Sequence, residues 1–114
     1  MFKITVVNKR THKPTANDVY IGRPSVLGNP YTHIADKKTL AQYVVGSREQ
    51  AVQMYREYFL KQIKENKAFR TAFVDLIGLC QYHDVNLVCW CAPQSCHGDI
   101  LKEQIMAWLN PKID

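Results

Sequence analysis

With 114 residues the chain has the size of one domain, and its 46% hydrophobic residues, among them six Tyr, four Phe and two Trp, supply a core that a disordered chain would lack. The formal net charge is +5, which favours anionic partners, but the basic residues are scattered, so charge alone does not separate a nucleic-acid face from ordinary solvated surface. No run approaches the roughly 20 apolar residues that span a bilayer, and residues 4–7 are too short an apolar run for a secretory signal. The expectation is a cytoplasmic protein without membrane association, its four cysteines reduced rather than paired in a disulfide framework.

Residues 2–8 are β-branched and aromatic and predict an opening strand; residues 18–22 predict a second, after a polar stretch containing Pro14. The segment Gly22-Arg23-Pro24-Ser25-Val26-Leu27-Gly28-Asn29-Pro30-Tyr31 cannot extend that strand, and its two glycines and two prolines before Tyr31 predict one structured loop. Residues 36–45 predict a short helix capped by Asp36. A long helix is expected from Ser47, whose hydroxyl can take an orphan amide while Gln50, three residues on, completes a capping box. Val52, Tyr55, Phe59 and Ile63 then form one apolar stripe. A further helix over residues 67–79 places Phe69, Ala72, Phe73, Leu76 and Cys80 on its buried side, with Cys80 as a core thiol. Residues 85–91 are nearly all apolar, the pattern of a central strand covered on both faces. The last helix is expected from Cys96 or His97, with Leu101, Ile105, Trp108 and Leu109 on its apolar stripe, ending before Pro111. Strands alternating with helices predict a single α/β domain over residues 1–114, a small three-layer Rossmann-like fold with a mostly parallel sheet.

The chemistry concentrates in Cys89-Trp90-Cys91-Ala92-Pro93-Gln94-Ser95-Cys96-His97-Gly98-Asp99. In a strand, residues two apart share a face, so Cys89 and Cys91 are expected to point one way and Trp90 the other, with Cys91 at the strand end facing a crevice. Cys96 to Asp99 open the next helix, where unpaired amides and the dipole favour an anion. The carboxyl ends of parallel strands are also where open α/β sheets bind ligands. A cysteine at a helix N-terminus beside a histidine can have its thiol pKa lowered, which makes Cys96 and Cys91 nucleophile candidates, with His97 as acid or base. Capping and packing account for the same residues equally simply, and Gly98 fits both, since it lets a backbone or a ligand come close. Asp99 would repel a phosphate seated at that helix end, so it suits a ribose, a base or another neutral polar group, or merely the helix itself.

Three cysteines and a histidine within nine residues also raise a zinc site. Cys-x-Cys inside an apolar strand and adjacent Cys96 and His97 are a poor ligand spacing, so no metal ligand or cofactor is expected, with a structural zinc module as the lesser alternative. The second candidate is the glycine-proline loop with its flanking strand end. There Arg23 can bind phosphate or carboxylate bidentately, and Ser25, Asn29 and nearby amides add donors, with Tyr20, Gly22 and Gly28 shaping the approach. Asn29 can instead hold the turn, and Arg23 can instead pair with an acid. There is no Walker loop and no G-x-G-x-x-G.

Tyr20-Ile21-Gly22-Arg23-Pro24, Leu27-Gly28-Asn29-Pro30-Tyr31, the helix with Ala51 and Tyr55-Arg56, and the Cys-Trp-Cys and Cys-His-Gly-Asp motifs together resemble the family catalogued as domain of unknown function 4326, found in bacteriophages and in cellular genomes. The resemblance runs over about residues 18–109. It implies a compact α/β domain in which the two motifs meet at a site, and a host-cytoplasmic setting if the chain is phage-encoded; it implies no activity. The strand, loop and helix with Cys-His also look like a local segment of domain of unknown function 488. Gly98 stands where that segment has arginine, so its anion-binding role is not carried over. The expected function is binding of a small anionic, nucleotide-like ligand, extending to hydrolysis or transfer on a nucleotide or nucleoside; the residues leave open whether catalysis follows binding. The alternative is a non-catalytic protein that binds nucleic acid or a host protein.

Overall fold

The computed structural model describes residues 2–32 and 43–109. Among them the order is β1 (Ile4–Asn8), β2 (Asp18–Tyr20), β3 (Tyr31–Thr32), β4 (Tyr43–Val44), α1 (Arg48–Glu65), α2 (Lys67–Cys80), β5 (Val85–Cys89) and α3 (His97–Leu109). β5 lies between β1 and β2 and is parallel to both, with Ile4 opposite Val85 and Tyr20 opposite Val88. β3 and β4 form a separate parallel pair. The chain is thus a small α/β protein with parallel strands and three helices among the described residues, as the alternation of elements predicts.

Val85, Leu87 and Cys89 project from one face of β5 into a core shared with Ile4 of β1, Tyr55 and Phe59 of α1, Phe69, Phe73 and Leu76 of α2, and Ile100, Leu101 and Ile105 of α3. Phe59 packs edge-on against Phe69 and Phe73, with centroids 5.6 and 4.8 Å apart, a favoured aromatic geometry. On the opposite face Val88 is buried while Asn86 interrupts the apolar run. The Asn86 amide donates to Asp18 Oδ1 at 3.1 Å, so the polar side chain is satisfied by the neighbouring strand.

The capping box of α1 closes one residue early. Ser47 Oγ accepts from the Gln50 amide at 3.0 Å, but Gln50 Oε1 accepts from the Gly46 amide rather than from that of Ser47. Asn66 ends α1 and starts α2: its N–H donates to the Gln62 carbonyl and its Oδ1 accepts from the Phe69 amide, so one residue breaks the two helices apart.

Three sequence expectations need correction. Of the expected helix over residues 36–45, residues 36–42 lie outside the described residues, and Tyr43 and Val44 form β4, paired with the unforeseen strand β3. β5 ends at Cys89, so Trp90 and Cys91 belong to the turn, not the strand. Trp108 is 65% exposed; it follows Ile105 by three residues but falls on the outer side of α3, while Leu109, four residues after Ile105, packs against the core. The end of α3 expected at Asn110 also lies outside the described residues.

Candidate functional site

The glycine-proline loop turns twice, the Ser25 amide donating to the Gly22 carbonyl and the Gly28 amide to the Ser25 carbonyl, both at 2.9 Å. A side chain at Gly28 would approach the Ser25 carbonyl and the Arg23 backbone at 3.0–3.2 Å, which explains the glycine. α1 anchors the loop from beneath: Tyr55 Oη donates to the Leu27 carbonyl at 2.7 Å, and Asn29 Nδ2 donates to the Ala51 carbonyl at 3.1 Å. Asn29 Oδ1 accepts from the Tyr31 amide. Asn29 therefore holds the turn, although it also borders the cleft described below. Arg23 donates through one terminal nitrogen to the carbonyls of Asn29 and Tyr31, at 2.9 and 3.4 Å. No carboxylate pairs with it among the described residues.

Tyr20 fastens the loop to the second motif. Its hydroxyl donates to the Arg23 carbonyl at 2.7 Å and accepts from Trp90 Nε1 at 2.9 Å. In the turn after β5, Asn8 Nδ2 donates to the carbonyls of Trp90 and Ala92, tying the end of β1 to the crossing. At the start of α3, Asp99 Oδ2 accepts from the Cys96 amide at 3.1 Å, satisfying one of the orphan donors of the helix. Gly98 is closed in by packing: a Cβ there would lie 2.9 Å from both Ile21 and Val6 side chains.

Between these two motifs lies a cleft of about 470 Å³, within the roughly 300–1,000 Å³ usual for small-ligand sites. Cys89, Cys91, Cys96 and His97 line it from the β5–α3 side, Gly22 and Arg23 from the loop side, and Trp90 and Tyr31 add aromatic walls. Arg10 and Arg48 also line it, so among the described residues three guanidinium groups border the cleft and no Asp or Glu does. Arg23 and His97, 74 positions apart in the chain, therefore share one cavity. Tyr20, Ser25, Gly28, Gly98 and Asp99 stand behind the lining rather than in it. Ser25 Oγ is buried with no hydrogen-bond partner.

Arg10 and Arg48 are not among the site residues expected from the sequence. Arg10 was legible in principle, since it follows the carboxyl end of β1, where parallel sheets place ligands. Arg48, the first residue of α1, carried no such signal, because only the folding of α1 beneath the loop brings it to the cleft.

The family model for "Domain of unknown function (DUF4326)" matches residues 5–107, which include every described residue that lines the cleft. The chain belongs to this family. It is also similar to a protein of Enterobacteria phage T4, the "Uncharacterized 12.4 kDa protein in nrdA-td intergenic region", with 34% identity over 56 residues. That match covers 49% of this chain and 46% of the phage protein, so the chain spans about half the length of the relative. No solved structure matches the chain.

In this member of the family, adjacent Cys96 and His97 turn in different directions. Cys96 Sγ lies 3.3 Å from Cys89 Sγ, while His97 Nε2 lies 2.6 Å from the Ile21 carbonyl oxygen. A carbonyl only accepts, so Nε2 carries the proton and Nδ1 is the free acceptor. Burial holds the His97 pKa down to about 4, helped by the nearby Arg23 charge and opposed by the Ile21 bond and Asp99. The ring is therefore neutral at pH 7 and supplies no cationic partner for a thiolate, contrary to the expectation that imidazolium would activate Cys96.

Cys89 and Cys96 titrate as a pair. The hydrogen bond from Cys96 pulls the Cys89 thiol down to about 6, with the amides of Cys91 and Ala92 adding to the effect against burial. The same contact, with burial and the Cys89 charge, drives the Cys96 thiol far up. The physical content is that the pair releases its first proton readily and its second with difficulty, and Cys89, which collects more donors, holds the negative charge. The thiol of Cys91 is raised by burial and by Cys89, an effect that Arg48 and Arg23 counter. The thiol with the lowered pKa is thus that of Cys89, while those of Cys96 and Cys91, the candidates from the sequence, are raised. Among the described residues no group of three or more His, Cys, Asp or Glu is placed to hold a metal ion. No helix among them is long and apolar enough to cross a membrane.

Proposed function

We propose that the cleft binds a small anionic, nucleotide-like ligand. The observation that carries this reading is the convergence of Arg10, Arg23 and Arg48 on one cavity that no carboxylate among the described residues lines. Uncompensated guanidinium groups in a concave, partly apolar site recognise phosphate or carboxylate strongly, because each can form charge-assisted bidentate bonds. Trp90 and Tyr31 offer flat surfaces for a base. On this reading the fold is used in the Rossmann-like manner, with the ligand beyond the carboxyl ends of β1, β2 and β5, and the reduced cysteines suit a cytoplasmic setting. Hydrolysis or group transfer on that ligand is the enzymatic extension, with Cys89 as nucleophile and His97 Nδ1 as a proton acceptor.

A second reading, binding of single-stranded nucleic acid, is favoured by Trp90 itself. The ring is 49% exposed, with Lys9 Nζ at 5.5 Å and Arg10 Cζ at 5.9 Å from its centroid, the aromatic-cation combination on which single strands stack.

Thermal melts with nucleoside mono-, di- and triphosphates, uncharged nucleosides, inorganic phosphate and a short oligonucleotide separate these. Stabilisation by nucleotides beyond that of phosphate, absent with nucleosides, is the expected result. No stabilisation by any nucleotide at millimolar concentration overturns the first reading, and tight oligonucleotide binding that collapses with added salt replaces it with the second.

A further inference from the structure

We propose that Cys89 and Cys96 form a peroxide-reactive dithiol at the floor of the cleft, in which Cys89 is oxidised first and Cys96 closes the disulfide. The two sulfurs belong to the last residue of β5 and the residue preceding α3, seven positions apart, and lie 3.3 Å from each other. Both border the cleft, although each residue is almost wholly buried, so a small oxidant can reach them where a bulky reagent cannot. A disulfide needs the sulfurs at about 2.05 Å, an approach that requires only a small displacement of the turn between the two elements.

The order of events follows from the surroundings. Cys89 Sγ accepts from the Cys96 thiol, and the amides of Cys91 and Ala92 lower its pKa further, while Cys96 Sγ accepts from the Gly98 amide. Cys89 is therefore the thiol of the pair that ionises first, against burial and the Asp99 charge. The Cys89 thiolate attacks one oxygen of hydrogen peroxide: an S–O bond forms, the O–O bond breaks, and hydroxide leaves with the electron pair. That hydroxide takes the proton of the Cys96 thiol and becomes water. The Cys96 thiolate then attacks Cys89 Sγ, the S–S bond forms, and the S–O bond breaks to release a second hydroxide, which takes up the proton Cys89 had lost. Two thiols and one peroxide give one disulfide and two waters, with two electrons passing from sulfur to oxygen.

The other two thiols are placed differently. Cys80 lies in the core on α2, away from the cleft, and Cys91 has no sulfur within hydrogen-bond reach. The inference does not depend on what the cleft binds, and its readout is a covalent map rather than a melt.

The reduced full chain is treated with a modest molar excess of hydrogen peroxide, then denatured, alkylated and mapped by mass spectrometry. The expected result is loss of two of the four alkylatable thiols, with a peptide pair joined through Cys89 and Cys96 and with Cys80 and Cys91 alkylated. In Cys96→Ser the expected product is a Cys89 sulfenic acid trapped by dimedone, and in Cys89→Ser neither product forms. Retention of all four thiols in the wild-type chain overturns the proposal, as does a disulfide through Cys91 or Cys80. Because the wild-type map decides the pairing, a variant that fails to fold leaves the test intact.

Discussion

The ring of His97, the first residue of α3, donates from Nε2 to the carbonyl of Ile21, just beyond the end of β2, across 2.6 Å. The bond is made by a neutral ring: an unfolded histidine takes a proton near 6.5, whereas burial delays protonation in the fold to about 4. Between those values the unfolded state binds more protons, so the His97 contribution to stability is complete above about pH 6.5 and is lost as the pH drops toward 4. The loss is about 3 kcal/mol on the order-of-magnitude scale of 1.36 kcal/mol per unit. Asp18, held below the ordinary carboxylate range first by the Thr15 amide and then by His12 and Asn86, loses its contribution only below its usual value of 3.8. Urea unfolding at pH 7.5 and pH 4.5 checks the prediction, and His97→Gln should lower stability at neutral pH while flattening this slope. A slope unchanged in the variant would assign the acid sensitivity elsewhere.

Arg48 and Arg23 should separate binding from folding. Arg48 borders the cleft and takes part in no carboxylate pair among the described residues, so Arg48→Ala should weaken a bound nucleotide roughly 10- to 100-fold, the equivalent of one charge-assisted hydrogen bond, with little change in unfolding. Arg23→Ala should weaken the same ligand and also cost about 1 kcal/mol of stability, because Arg23 holds the Asn29 carbonyl at 2.9 Å. Calorimetric titration beside urea unfolding of the two variants makes the comparison. Equal effects of both on stability and none on affinity would remove the anionic cleft.

The parts of this arrangement that local signals could announce were legible. Ser47 and Gln50 marked the start of α1, the apolar run announced β5, and the crowding of Cys and His pointed to the turn before α3. Long-range partners were not legible, because a residue's bonding partner is set by how elements pack. Asn66 looks like any polar residue until its backbone N–H is seen to end one helix and its side chain to begin the next. Cys89 reads as strand filler until Cys96 is found 3.3 Å away. β3 and β4 are two residues each, too short for any alternation to register, and the period that placed Trp108 inward failed at the end of a helix with only a narrow buried face.

Gly22 is required by Tyr20 rather than by backbone conformation. A Cβ at Gly22 would lie 2.4 Å from Tyr20 Oη and 2.6 Å from the adjoining ring carbon. The ring cannot swing away without losing its bonds to the Arg23 carbonyl and to Trp90 Nε1. Gly22→Ala should therefore destabilise the protein by about 1–3 kcal/mol, the usual cost of overpacking. Near-ultraviolet circular dichroism and tryptophan fluorescence should report the displaced Trp90. In the Tyr20→Ala background, where the ring and so the clash are gone, Gly22→Ala should cost much less than in the wild type; an equal cost in both backgrounds would show that the clash is not the cause.

Asp99 offers the sharpest test of what the start of α3 does. From the sequence its carboxylate could recognise a ribose or a base, but it accepts from the Cys96 amide at 3.1 Å and stands outside the cleft lining. A capping carboxylate at a helix N-terminus contributes about 0.5–2 kcal/mol through the orphan amide and the dipole together. Asp99→Ala should cost that much in urea unfolding, and Asp99→Asn, which keeps an accepting oxygen, should recover most of it. Nucleotide affinity should stay within a factor of about three in both variants, with a slight gain for an anionic ligand because a nearby negative charge is removed. A loss of tenfold or more that Asn does not restore, specific to ligands carrying a ribose, would instead place the carboxylate on the ligand.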